Sequence, residues 1–109
     1  SENAQIPWLK IFTKEPFVEL TDCPSSLQNE LWRVVLLCER ALREFYKPDK
    51  INIASFANYV PRVHFHIMAR FKDDEFFPEC MWGKPQRKRV KLNLASFDEF
   101  VEFLRKRLA

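Results

Sequence analysis

Arg62-Val63-His64-Phe65-His66-Ile67-Met68-Ala69-Arg70 is the stretch on which the fold turns. Its side chains alternate with a period of two, which predicts a β-strand with successive residues on opposite faces. Val63, Phe65, Ile67 and Ala69 then face the core. Arg62, His64, His66, Met68 and Arg70 share the other face, with the two imidazoles roughly 6–7 Å apart. They are the only histidines in 109 residues. Imidazole titrates, attacks and ligates near neutral pH. Two of them on one strand face, flanked by arginines, predict a site for phosphate chemistry.

Upstream, Lys50 to Ser55 also alternates and predicts a strand. The short link Phe56 to Pro61 makes antiparallel pairing with the histidine strand the simplest arrangement. Leu27, Leu31, Val34, Val35, Cys38, Ala41, Leu42 and Phe45 recur at helical spacing, with charged residues between them. Ser25 and Gln28 stand at capping-box spacing at the start of this helix, and Pro48 ends it. Pro7 to Phe12 and Phe17 to Leu20 predict two further strands, joined by a turn over Thr13 to Pro16. Downstream, Phe71 to Gly83 is aromatic-rich and irregular: an ordinary packed loop, a contact with a partner subunit or a cover for the site. Ser96 and Glu99 form a second capping pattern before a helix carrying Phe97, Phe100, Val101, Leu104 and Leu108. The order strand, strand, helix, strand, strand, helix predicts a single α+β domain over residues 1–109, with an antiparallel sheet, one long helix and a C-terminal helix.

The composition narrows the class. Hydrophobic residues make up 47% and aromatics 15%, enough for a core and against disorder. Cys23, Cys38 and Cys80 are an odd number without metal-type spacing, which predicts free thiols in a reducing compartment. With no apolar run of membrane-spanning length and no signal peptide, a cytoplasmic protein is expected. Position 1 is Ser rather than Met, so an N-terminal piece, including part of the first strand, is expected to be absent. The net charge of +3 is too small to imply nucleic acid. The basic run Lys84, Arg87, Lys88, Arg89 and Lys91 suits either a solvated face or attraction of a polyanionic substrate.

Three readings of His64 and His66 remain on chemistry alone. A metal site needs further ligands, for which Asp73 or Asp74 are the candidates. A hydrogen-bonded structural pair needs none. In the third, one imidazole attacks phosphorus and the other assists.

The surrounding residues favour the third. Asn52 to Arg70 resembles the signature of the histidine triad (HIT) family, three histidines alternating with apolar residues after a Gly-Gln/Asn segment. Phe71-Lys72-Asp73-Asp74, Phe77-Pro78 and Trp82-Gly83 resemble its small bacterial branch, which is similar to diadenosine tetraphosphate hydrolases. The resemblance runs from Trp8 to Trp82. It implies a HIT-like fold and a hydrolase or phosphoramidase acting at the α-phosphate of an adenosine nucleotide or dinucleoside polyphosphate. His64 matches the nucleophile, which forms a nucleotidyl-histidine intermediate, and His66 the assisting histidine. Asn58 and Asn52 match phosphate- or ribose-binding positions. The base is expected in an apolar slot between the N-terminal strands and the first helix, with Trp8 and Phe12 as candidate walls. A homodimer, a purine nucleotide or dinucleoside polyphosphate partner and no cofactor are implied.

The sequence departs from the pattern at three places. Arg62 stands where the first triad histidine is expected; a guanidinium neutralises phosphate charge but does not shuttle protons. Ala57 replaces a glycine. Tyr59 replaces a small hydroxyl residue. The alternative these departures raise is a nucleotide-binding module without efficient turnover. A second rival, an RNA-associated protein using Lys84 to Lys91, would bind with steep salt dependence.

Overall fold

The computed structural model describes residues 4–109. Strands β1 (Trp8–Phe12), β2 (Lys50–Ala54) and β3 (His64–Arg70) form one antiparallel sheet in the order β1-β3-β2. The histidine strand is therefore central, hydrogen-bonded on both sides. Phe12, Lys10 and Trp8 of β1 lie opposite His64, His66 and Met68. Ala54 and Asn52 of β2 lie opposite His66 and Met68.

One sheet face is the core. Phe65, Ile67 and Ala69 are buried there against Leu31, Val35, Cys38 and Leu42 of the long helix α1 (Ser25–Tyr46). Burial pushes the Cys38 thiol up to about 11, so it is an inert part of that packing. All three cysteines are free. The C-terminal helix α2 (Phe97–Leu108) packs on α1, with Phe100 against Phe45 and Tyr46 at ring distances of 5.5 and 5.4 Å. Ser96 caps α2, its hydroxyl accepting from the Glu99 amide at 3.2 Å. Among the described residues no helix is long and apolar enough to cross a membrane.

Two sequence-based expectations change. Phe17 to Leu20 is not a strand: its link to β3 is a bond from the Val63 amide to the Phe17 carbonyl. Pro16 removes a ladder donor just before it. The Glu19 amide is then held by the Asp22 carboxylate at 3.0 Å, drawing the chain into a 3₁₀ turn over Leu20–Asp22. The sheet accordingly has three strands rather than four. At α1, Pro24 takes the N-cap place expected of Ser25, and Gln28 reaches back to the Cys23 carbonyl at 2.9 Å. Proline has the extended backbone the position needs and lacks the donor a cap must satisfy.

The second sheet face is also covered. Met68 and Arg70, on the same face as the histidines, are 1% and 2% exposed. A buried guanidinium needs partners for all of its fork. Arg70 donates twice to Asp74, through Nε and Nη2 at 3.0 Å each, and also to the Glu79 carbonyl and to Asn52 Oδ1 at 2.7 Å each. Asp74 in turn accepts from the amides of Phe71, Phe76 and Phe77. Arg87 clamps the Asp74 and Phe77 carbonyls from outside. The segment from Phe71 to Trp82 is thus a packed loop folded around one ion pair. It closes the far end of the histidine face.

Burial alone would raise the Asp74 carboxyl, but the Arg70 bonds and the Phe71 and Phe77 amides hold it below the usual range. Its contribution to stability is therefore full above an unfolded pKa of about 4. It drains away as the pH falls through the lower folded value. Asp74→Ala, which leaves Arg70 buried and unpaired, is expected to lose about 3–5 kcal/mol in urea unfolding. A loss below about 1 kcal/mol, the worth of a surface pair, would contradict this account.

Candidate active site

The strand pleat puts His64 and His66 side by side, with ring centroids 5.0 Å apart, closer than simple strand spacing because the rings lean together edge to face. Their nitrogens are not equivalent. His64 Nδ1 lies 2.7 Å from the Arg62 carbonyl oxygen, which only accepts, so this nitrogen carries the proton. In the neutral ring, His64 Nε2 is then the lone pair. His66 Nδ1 lies 3.0 Å from Trp8 Nε1, which only donates, so His66 Nδ1 accepts and its proton sits on Nε2. Two neighbouring imidazoles are held in opposite tautomers by two different neighbours.

Burial is the main cause that lowers the His66 pKa, helped by His64 and by Lys10, its cross-strand neighbour. A neutral His66 at pH 7 keeps the Trp8 bond. His64 stacks on Phe12 at 5.3 Å with the rings nearly parallel. Trp82 completes the wall, edge to face with His66, Trp8 and Phe56 at 5.1, 5.3 and 5.1 Å.

Two cavities adjoin the site, one at Phe12, the ring on which His64 stacks, and one at His64 itself. One, of about 410 Å³, runs between β1 and α1 and is lined by Ile11, Phe12, Phe17, Leu27, Leu31 and Val34, together with Glu30, whose carboxylate pairs with Arg33. The other, of about 380 Å³, is lined by both histidines together with Phe56, Ala57, Asn58, Tyr59, Val60 and Trp82. A larger groove of about 910 Å³, between residues 4–8 and 89–95, contains neither histidine.

The remaining sequence-derived candidates fall in different places. Asn58 lines the histidine cavity. Asn52 lies one side-chain row behind His66, its carbonyl held by Arg70, in a neighbouring cavity that shares Phe56 and Trp82 as a wall. Arg62 precedes β3 rather than belonging to it, and its guanidinium turns to the carbonyls of Thr13 and Lys14 at the end of β1. There it supports Phe12 from behind, 6.0 Å from the ring centroid. Trp8 bonds to His66 and takes no part in the slot beside α1. Among the described residues no group of three potential metal ligands forms. The sequence gives no sign of Trp8 as a hydrogen-bond donor, and it offers Trp82 only within a loop expected to pack or to cover the site.

Comparison with known proteins places this geometry in a family. The family model described as HIT domain matches residues 2–73, about two thirds of the chain. The chain belongs to the HIT family. A histidine triad protein from Bradyrhizobium japonicum of known structure is 33% identical, with a TM-score of 0.80, over 97% of this chain and 78% of that one. Histidine triad proteins from Sinorhizobium meliloti and Marinobacter aquaeolei share the HIT fold, with TM-scores of 0.71 and 0.69 at 24% and 23% identity. They cover 95% of this chain and 74% and 72% of their own. A search of curated proteins finds no match. HIT proteins are generally nucleotide hydrolases or transferases and bind nucleotides.

Ala57, where the family resemblance expects a glycine, has a left-handed φ of 54°. That conformation costs a residue with a Cβ about 1–2 kcal/mol, partly offset by the greater chain entropy glycine loses on folding. Ala57→Gly is expected to stabilise the protein by roughly 0.5–1 kcal/mol in denaturant unfolding; a net loss would show the strain to be absent.

Trp8→Phe tests the tautomer assignment. In the native protein, ¹⁵N shifts are expected to report His66 as neutral and protonated on Nε2 at pH 7. Removing the indole donor frees Nδ1 to take a proton, so the variant is expected to titrate higher and to show mixed tautomers. The sign for stability follows. Because the folded pKa of His66 lies below an unfolded value near 6.5, stability is full above about pH 6.5 and falls as the pH drops through the folded value. An unchanged His66 titration in Trp8→Phe would remove the indole from the account.

Proposed function

We propose that the protein hydrolyses a phosphoramidate or phosphoanhydride bond at the α-phosphate of an adenosine nucleotide or dinucleoside polyphosphate, through a nucleotidyl-histidine intermediate on His64. The observation that carries this reading is the pair of opposed tautomers. His64 offers a lone pair on Nε2, and its Nδ1 proton, bonded to a carbonyl, supports the positive charge that develops on the ring during attack. His66 offers an Nε2–H donor beside it, suited to a phosphate oxygen that gains charge in the transition state.

The bonds balance in two steps. His64 Nε2 forms a bond to phosphorus while the bond from phosphorus to the leaving nitrogen or oxygen breaks. The leaving atom takes that electron pair, and an amine takes up a proton from solvent. Water then attacks the phosphorus, the bond to His64 breaks, and a nucleoside monophosphate leaves as one proton is released. In this reading Asn58, which lines the same cavity, donates to a phosphate oxygen. The apolar slot between β1 and α1, with Glu30 in its lining, suits a base and its ribose. Arg62 acts at a distance in this reading: it fixes the end of β1 and hence Phe12, the ring on which His64 stacks. Asn52 contributes through Arg70 and the loop rather than by touching phosphate. The same reading expects a cytoplasmic homodimer that needs no cofactor.

Brief mixing with an adenosine phosphoramidate, and separately with diadenosine tetraphosphate, followed by intact mass spectrometry, tests the proposal. An adenylyl adduct is expected in the native protein and in none of the His64→Ala protein. Turnover is expected to fall by at least about 10³-fold in that variant, since removing a nucleophile leaves only binding contributions. Nucleotide binding without adduct or product, and with no difference between the two proteins, would instead identify a binding module.

A further inference from the structure

A phosphorus attacked by His64 carries two substituents of any size, the nucleoside and the leaving group. Under the reading above the slot between β1 and α1 takes the first. Beyond the phosphate itself, the cavity lined by His64 has no occupant in that reading, and its walls are specific. Phe56 and Trp82 meet edge to face, 5.1 Å apart at 72°, and form an open right-angled corner of two ring faces. Both are about half exposed, at 57% and 49%, and Tyr59 beside them is fully exposed. No carboxylate lines this cavity, so nothing in it favours a cationic guest. Trp82 is fixed from behind by Trp8. The corner is aromatic and open to solvent, and both histidines line the same cavity.

We infer that this corner is a leaving-group subsite for a planar aromatic ring, stacked on one of the two faces and edge-on to the other. This rests on the proposed attack by His64 and adds the class of leaving group. Aromatic pairs in offset-stacked or edge-to-face geometry gain more than their buried area supplies, whereas a saturated ring of the same size gains only the area. A flat ring therefore fits this corner better than an aliphatic group of equal bulk.

The test compares two adenosine 5′-phosphoramidates, of 2-phenylethylamine and of 2-cyclohexylethylamine, matched in linker and ring size; the phenyl compound's less basic amine adds a constant factor that the variants share. In the native chain kcat/KM is expected to favour the phenyl compound by about tenfold, the value of two aromatic contacts. In Phe56→Leu and in Trp82→Leu this ratio is expected to fall to about twofold or less, whatever happens to their common rate. Because the ratio cancels steps shared by the two compounds, a general loss of activity does not imitate the result. A native ratio near one, or a ratio unmoved in both variants, overturns the subsite. So does a variant that leaves the amine ratio intact and changes the preference for adenosine over an abasic ribose compound, which would seat the nucleoside in the corner. If neither compound turns over, the same ratio is read from their dissociation constants by calorimetry. A phenyl preference lost in the variants then upholds the subsite while the hydrolytic reading fails.

Discussion

The arrangement of the site depends on one buried ion pair. Arg70 ends the histidine strand, and its guanidinium has no solvent to turn to. Asp74, four residues later, answers it with both oxygens and then spends its remaining acceptor capacity on three loop amides. A pair of this kind adds less to net stability than its geometry suggests, because two charges have been taken out of water. Its effect is to specify one loop path. That path delivers Trp82 to His66, and Trp82 carries Phe56 and Trp8 with it through ring contacts. Electrostatics at one end of β3 thereby fixes the aromatic wall at the other.

The sheet order matters as much. With β3 in the centre, His66 has a cross-strand neighbour on both sides and His64 has one on β1 alone, so the two sides differ. On β1 the neighbours are large: Phe12 beside His64, Lys10 beside His66, and Trp8 diagonally beyond. On β2 the neighbour of His66 is Ala54, and the strand ends there, with Ser55 bonding the His64 carbonyl at 2.7 Å. Crowding on one side and an early strand end on the other leave the imidazoles covered from β1 and open toward residues 56–60. The cavity on that side is a product of topology.

Much of this was legible in the sequence, and what was not has a physical reason. The period-two run from Val63 to Ala69 set the core face correctly, because burial of alternate residues is a local signal. The long helix announced itself by its 3.6-residue pattern, and the HIT signature located both histidines. Phe17 to Leu20 misled because its residues suit a strand while Glu19 and Asp22 side chains compete for the backbone. Arg62 was misjudged in orientation. Its neighbours in sequence say nothing of Thr13 and Lys14, forty-nine and forty-eight residues away, whose carbonyls draw it from the cleft. The role of Trp8 was hidden for the same reason: its bond to His66 spans fifty-eight residues and exists only once β1 has found its partner.

That last bond ties protonation to strand alignment. Slipping β1 by one residue would turn Trp8, Lys10 and Phe12 to the opposite face and Leu9 and Ile11 toward the histidines. A slip of two would keep the faces but carry the indole past His66 and the Phe12 ring off His64. In either case His66 would lose the donor that assigns its proton, and the two imidazoles would cease to be opposites. The choice of which nitrogen carries hydrogen is thus recorded in the register of a sheet. Only a correctly aligned chain presents one ring as a lone pair and the other as a donor.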